Sequence, residues 1–172
     1  HLIAHGHRKI VCVGYDGQFN SISQRIDGYR KAMASAGLKP QLLIARDESE
    51  VPRLVMKRLR AGDPPTALFS LNNVTTAHVL RLLQRENLCV PDAVAVVGFD
   101  DFDLGELLAV PLTAVRQPAA ELGRSATRLL LEMIHTGTTG ADGSGSRIVL
   151  PTELIIRRSC GCAAPPRIAA GE

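Results

Sequence analysis

The sequence predicts an α/β fold: a doubly wound, mostly parallel sheet. Three observations carry that expectation. Short apolar runs rich in Val, Ile and Leu alternate with longer stretches of helical period, the pattern of successive β-α-β units. Several of these runs end in Gly or Ser and are followed at once by polar side chains. Val96-Val97-Gly98-Phe99 leads into Asp100-Asp101, Ala67-Leu68-Phe69-Ser70 into Asn72-Asn73, and Ile10 to Gly14 into Gln18, Asn20 and Arg25. Polar groups just past the carboxyl ends of strands are how an open α/β sheet builds a ligand site. Finally, 172 residues at 45% hydrophobic are enough for the core of one ordinary domain and argue against disorder.

The elements follow in order. Residues 1–4 close a helix, with Gly6 in the position that favours a left-handed cap. Residues 9–15 read as a buried strand. In residues 22–35, Ile22, Ile26, Tyr29, Ala32 and Met33 recur at helical spacing, and Gly37 and Pro40 stop the run. Residues 41–45 make a short strand, and residues 51–60 a helix closed by Gly62 and Pro64-Pro65. A strand at 66–70 and a helix at 74–86 come next, then a Val-rich strand at 93–99. Residues 113–115 are extended before Pro118. Residues 119–134 form a strong helix with Leu122, Ala126, Leu129, Leu130, Met133 and Ile134 on one broad face. An apolar face of that size calls for a covering surface, either another copy or the chain's own lobe. The Gly-, Ser- and Thr-rich stretch 136–146 reads as a flexible loop. Residues 147–150 and 153–156 are β-like, broken at Pro151, and residues 160–172 form a tail without period.

Composition narrows the classes. The net charge of +3 comes with no Lys/Arg stripe interleaved with aromatics, so nucleic-acid binding by this chain is not indicated. No run is long and apolar enough to span a membrane, and no signal peptide is visible. The four cysteines form no even-spaced framework, which suggests reduced thiols and a cytoplasmic setting. The sequence opens on His1 rather than Met, in what reads as the tail of a helix, as a fragment would.

Each candidate site residue has a plain alternative. Asp100 and Asp101 could hold a metal or cap a short helix near Leu104. They lack the further oxygen ligands a hard cation needs, so a pair of ligand hydroxyls suits Asp100 better. One of Asn72 and Asn73 should cap the helix that follows, leaving the other for a ligand. Arg25 stands either as a surface cation or as a clamp on a ligand hydroxyl or anion. His1, His5 and His7 have metal-like spacing but no fourth ligand, which favours ordinary surface histidines. Cys160-Gly161-Cys162 is too close-spaced for a zinc ribbon. No G-x-S-x-G elbow or other catalytic set is present, and no cofactor is indicated.

Six segments together carry a resemblance. They are His1-Leu2-Ile3-Ala4-His5-Gly6-His7-Arg8-Lys9-Ile10; Arg25-Ile26-Asp27-Gly28-Tyr29-Arg30; Phe69-Ser70-Leu71-Asn72-Asn73; Val90-Pro91-Asp92 through Asp100-Asp101; Pro111-Leu112-Thr113-Ala114-Val115-Arg116-Gln117-Pro118; and Leu150-Pro151-Thr152-Glu153 through Ser159-Cys160. In order and spacing they resemble the effector-binding core of the lactose/galactose repressor (LacI/GalR) family of bacterial transcription regulators. That resemblance implies two α/β lobes like those of periplasmic sugar-binding proteins. Residues 1–116, completed by 152–159, would be the C-terminal lobe. Residues 117–151 would be a crossing piece of the N-terminal lobe, and 160–172 a tail. Carried over, the effector contacts are Arg25, Asn72, Asp100 and Gln117. Asn73 stands where the family usually has Asp. Residues 45–50 lack the aromatic on which some sugar binders stack their ligand, so Phe19 and Phe102 become the stacking candidates.

The implied partners are a small, sugar-like effector and a second copy of the chain. Operator DNA would be reached only through a helix-turn-helix that this sequence does not contain. The helix at 74–86 is apolar around most of its circumference, which points to Val79, Leu82 and Leu83 as a dimer surface. The expected function is effector sensing in a transcription regulator. The alternatives are a transport-type sugar-binding protein and a metal-dependent enzyme using Asp100 or Asp101.

Overall fold

A computed structural model describes residues 1–16, 20–137 and 147–162. Backbone contacts divide the chain into two units. One is His1–Val115 with the described residues from Leu154 onward; the other is Arg116–Glu153. The first unit holds the sheet, whose six strands are ordered β2-β1-β3-β4-β5-β6. These are β1 Ile10–Tyr15, β2 Gln41–Ala45, β3 Ala67–Ser70, β4 Ala95–Phe99, β5 Thr113–Arg116 and β6 Glu153–Ile155. The pairs from β2 across to β5 are all parallel. The connecting helices are α1 Asn20–Ser35, α2 Val51–Leu59 and α3 Asn73–Arg85.

Both faces of the sheet are buried, and the side-chain period of two divides each strand between them. Val11, Val13, Leu68 and Val96 point into a core shared with Val51 and Val55 of α2 and with Val79, Leu82 and Leu83 of α3. Ile10, Cys12, Ala67, Ala95 and Val97 point the other way, onto Tyr29 and Met33 of α1. This is why β1 and β4 read as continuous apolar runs rather than alternating ones. Tyr29 anchors α1 further by donating from its hydroxyl to the Ile10 carbonyl at 2.8 Å.

The segment after β6 is stitched into the sheet by side chains. Ser159 donates to the Val96 carbonyl at 2.6 Å and accepts from the Thr113 amide at 2.8 Å. Arg157 is buried, and its guanidinium donates to Asp101 Oδ1 at 2.7 Å, Asp101 Oδ2 at 3.0 Å and the Leu112 carbonyl at 2.6 Å. Glu106 accepts from the same guanidinium at 3.1 Å. The hydrogen-bonded Asp101 carboxylate holds the Arg157 pKa above its ordinary value.

Several expectations need correction. Val79, Leu82 and Leu83 are buried in the chain's own core, so they offer no dimer surface. These three residues have an internal cover: the sheet, α2 and the half-buried Leu108 all pack against this one cluster, while Val74 of the same helix stays 36% exposed. Residues 147–150 form no strand. His1 to Gly6 is a single turn, closed by the His5 amide on the His1 carbonyl, with Gly6 at φ 90°. Cys160 is buried rather than part of a loose tail. The stretch 138–146, Phe19 and residues 163–172 lie outside the described residues.

In the second unit, α4 runs from Ala119 to Thr136 and ends at Gly137, whose φ of 64° is a left-handed cap. None of its residues is buried; Leu130 is 57% and Ile134 67% exposed.

Burial sets the reactivity of the thiols. All four cysteines are free; Cys89 is exposed, while Cys12 and Cys160 are buried. Desolvation pushes the Cys12 thiol up to about 12 and that of Cys162 up to about 11. Because the thiolate is the nucleophile, a disulfide reagent at neutral pH should label Cys89 first and Cys162 slowly. Cys12 and Cys160 should react only when the chain unfolds. Peptide mapping by mass spectrometry checks this, and labelling of Cys12 in the native protein would contradict the packing.

Candidate functional site

Strand order decides where a ligand can enter. Connections from β1 run to β2 on one side, while β3 lies on the other, so the winding reverses between β1 and β3. The crevice past the carboxyl ends of the strands at such a switch point is where open α/β sheets bind ligands. Arg25, in the second turn of α1, reaches across this point. Its Nη1 donates to the carbonyl of Leu71, just beyond β3, at 2.6 Å. The same nitrogen donates to Asp100 Oδ2 at 3.0 Å, just beyond β4, and Nη2 lies 3.4 Å from Oδ1. The guanidinium carbon sits 3.8 Å from the centroid of the Phe99 ring, a cation–π contact. The Arg25 side chain is only 12% exposed, so this is no free surface cation.

Asp100 has φ 70°, in the left-handed region where a non-glycine residue is strained. Such strain costs about 1–3 kcal/mol and gathers at functional sites. The carboxylate is thereby presented beyond the strand, beside the arginine. Asn72 occupies the corresponding place on the neighbouring strand, since Ser70 pairs with Gly98 and each residue lies two positions further on. Its Oδ1 accepts from the Thr75 amide at 2.7 Å and caps α3. The cap therefore belongs to Asn72, while Asn73 Oδ1 accepts from the adjacent Val74 amide. What Asn72 has to offer a ligand is its amide N–H pair.

Buried hydroxyls fix this cap. Thr76 Oγ1 donates to the Asn72 carbonyl at 2.8 Å and pairs with Ser70 Oγ. Gly98 makes room for them: a Cβ there would stand 3.0 Å from Thr76 Oγ1. Thr75 is also fully buried, yet its hydroxyl has no partner among the described residues. A buried unsatisfied hydroxyl costs about 1–3 kcal/mol. Thr75→Val, which keeps the shape and the β-branch, should therefore raise stability by about 1 kcal/mol. A lower urea midpoint for this variant would show that the hydroxyl is satisfied.

The sequence-predicted residues divide as follows. Arg25 and Asp100 are in direct contact, and Asn72 stands beside them at the next strand end. Gln117 is exposed, follows β5 immediately and belongs to the second unit, where its carbonyl accepts from the Ala119 amide at 2.9 Å. Phe102 is half-buried and packs against the core around Val96 and Leu112. Asp101 accepts from the Arg157 guanidinium through both carboxylate oxygens. Phe99 went unrecognised in the sequence; its only signal there is its place directly before Asp100.

Comparison with known proteins places this geometry in a class. The model of the periplasmic binding protein-like domain matches residues 1–160, and the chain belongs to that family. Within it, the chain is homologous to LacI-family transcription regulators. It is 33% identical to the HTH-type transcriptional regulator DegA of Bacillus subtilis (strain 168), over 92% of this chain and 47% of that protein. It thus spans about half the length of the curated relative it matches. The solved complex of the transcriptional regulator CelR with cellobiose aligns with a TM-score of 0.77 and 32% identity, covering 92% of this chain and 48% of that one. A LacI-family regulator from Enterococcus faecalis V583 with bound ribose aligns with a TM-score of 0.75 and 26% identity, covering 92% and 56%. No described helix is long and apolar enough to cross a membrane.

Proposed function

We propose that this chain is the effector-sensing part of a cytoplasmic bacterial transcription regulator, and that its effector is a small polyhydroxylated molecule of the sugar class. One observation carries the reading: the Arg25–Asp100 pair held across the switch point of the sheet. A carboxylate accepts from two O–H donors, and a planar guanidinium donates in a fixed fork. Side by side they suit adjacent hydroxyls, which both donate and accept. The Asn72 amide adds donors at the next strand end. The sugars in the CelR and Enterococcus faecalis complexes support the ligand class.

Effector binding then shifts the balance between two lobe arrangements and so changes operator affinity through a DNA-binding segment elsewhere in the regulator. The regulator works as a dimer whose surface excludes the buried Val79, Leu82 and Leu83. A metal-dependent enzyme is less well supported, because Asp100 and Asp101 each face a guanidinium that a cation would have to displace.

The test is thermal unfolding of the full-length regulator against a panel of pentoses, hexoses and disaccharides, including ribose and cellobiose. A ligand at 100 times its Kd stabilises by about 2.7 kcal/mol, which is readily seen as a rise in Tm. At least one sugar should produce that rise, and Asp100→Ala should abolish it. If no sugar does, or if the rise survives the substitution, the reading fails.

A further inference from the structure

The opposite end of the sheet carries a second cluster that effector sensing does not use. His1 and His5 sit four residues apart on the single turn that opens the chain, and their ring centroids are 4.5 Å apart. Cys162, beyond β6, comes up beside them: its Sγ lies 3.1 Å from His1 Nε2, across a sequence separation of 161 residues. One ligand atom from each of the three residues falls within 4.8 Å of the others. In the sequence the histidines lacked a further ligand; the fold supplies a thiol.

We propose that His1, His5 and Cys162 form a zinc site that clasps the turn ahead of β1 to the segment after β6.

Three features of the geometry support it. Zn–S and Zn–N bonds of about 2.3 and 2.0–2.1 Å in a tetrahedron set nitrogen and sulfur about 3.5 Å apart, close to the His1–Cys162 separation. His5 Nδ1 lies 2.9 Å from the His1 carbonyl oxygen. A carbonyl only accepts, so this nitrogen carries the proton and Nε2 keeps the lone pair. That is the carbonyl-to-imidazole support metal-binding histidines ordinarily have. The donor set of two imidazoles and one thiol suits zinc and excludes calcium and magnesium, which need oxygen.

His7 Nδ1 pairs with Thr66 Oγ1 at 2.9 Å, and the buried Cys160 thiol lies 3.2 Å from Thr113 Oγ1, which donates to it, so neither belongs to the set. Three protein ligands leave a fourth position open to water or to a carboxylate; His5 also lines a cavity of about 300 Å³ with His7, Asp92 and Gly161. On binding, the Cys162 S–H bond breaks, its proton leaves to solvent, and the sulfur lone pair forms the bond to zinc. No oxidation state changes.

The experiment uses the 172-residue chain, stripped with a chelator and titrated with Co²⁺ as a visible stand-in for zinc. One equivalent should raise a thiolate-to-metal charge-transfer band, and Zn²⁺ should displace it. Cys162→Ser should abolish the band, His5→Ala should weaken Co²⁺ at least about tenfold, and Cys89→Ser should change nothing. His1 and His5 are exposed and Cys162 half-exposed, so these variants keep the fold, which circular dichroism in chelator verifies. Zn²⁺ should also raise the urea midpoint of the unmodified chain but not that of Cys162→Ser. A missing band, one that persists in Cys162→Ser, or one lost in Cys89→Ser overturns the proposal.

Discussion

Asp101→Ala should be strongly destabilising, lowering stability by about 3–5 kcal/mol. Its side chain is 3% exposed and that of Arg157 9%, so solvent does little to screen the pair. Removing the carboxylate strands a buried guanidinium that keeps only the Leu112 carbonyl and the largely exposed Glu106. A domain of this size is stable by about 5–15 kcal/mol, so the loss is a large share of the total. Asp101→Leu combined with Arg157→Met should recover much of it, because an apolar pair of similar volume needs no desolvation of charge. Urea unfolding of the two single variants and the double variant measures the coupling. Simple additivity, or a loss under 1 kcal/mol for Asp101→Ala, would mean that water reaches the pair.

The sheet was legible because its residues are buried in the simplest way. Runs such as Val11-Cys12-Val13 and Val94-Ala95-Val96-Val97 have helices on both faces, and β-branched residues bounded by Gly and polar side chains read directly as parallel strands. The misread strand at 147–150 had the propensity but no neighbour. Ile148 is 50% and Val149 74% exposed, and β propensity mainly reports fit to a half-buried surface. The α3 surface failed for a related reason. An apolar circumference shows that a helix has more than one covered side, but not whether the cover is a second copy or the chain's own α2; here Val79, Leu82 and Leu83 are covered from within while Val74 stays 36% exposed.

The candidate site was legible only where it depends on position along a strand. Arg25, Asn72 and Asp100 stand just past strand ends or on the next helix, places that a linear reading can find. The partnerships among them are not linear. Nothing in Ile155-Ile156-Arg157-Arg158 marks Arg157 as the buried one, because its partner lies 56 residues away. The convergence of His1 and Cys162 was equally invisible. A ligand spacing on one turn can be read from sequence, but a third ligand brought in by the last strand cannot.

Arg25→Ala should remove effector response in the full-length regulator while leaving it folded. The substitution deletes the bond to the Leu71 carbonyl, the pair with Asp100 and the stack on Phe99. If the bound ligand receives one or two charge-assisted hydrogen bonds from this group, each at about 1.5–3 kcal/mol, affinity falls roughly 10- to 100-fold or more, at 1.4 kcal/mol per decade. Arg25→Lys should recover little of this, because an ammonium keeps the charge but loses the planar fork and the stacking. Stability and recognition separate most cleanly at Asp100. Asn is among the few residues that accept the left-handed conformation at φ 70°, so Asp100→Asn should keep the urea midpoint near that of the unmodified protein. It nonetheless exchanges an ionised acceptor for a neutral amide, and hydrogen bonds to a neutral group are about half as strong. Sugar affinity should therefore drop about tenfold or more in a variant of unchanged stability. Calorimetric titration beside urea unfolding gives both quantities. Unchanged affinity in Asp100→Asn, or a midpoint that falls as far as the affinity does, would assign this pair to the scaffold rather than to the ligand.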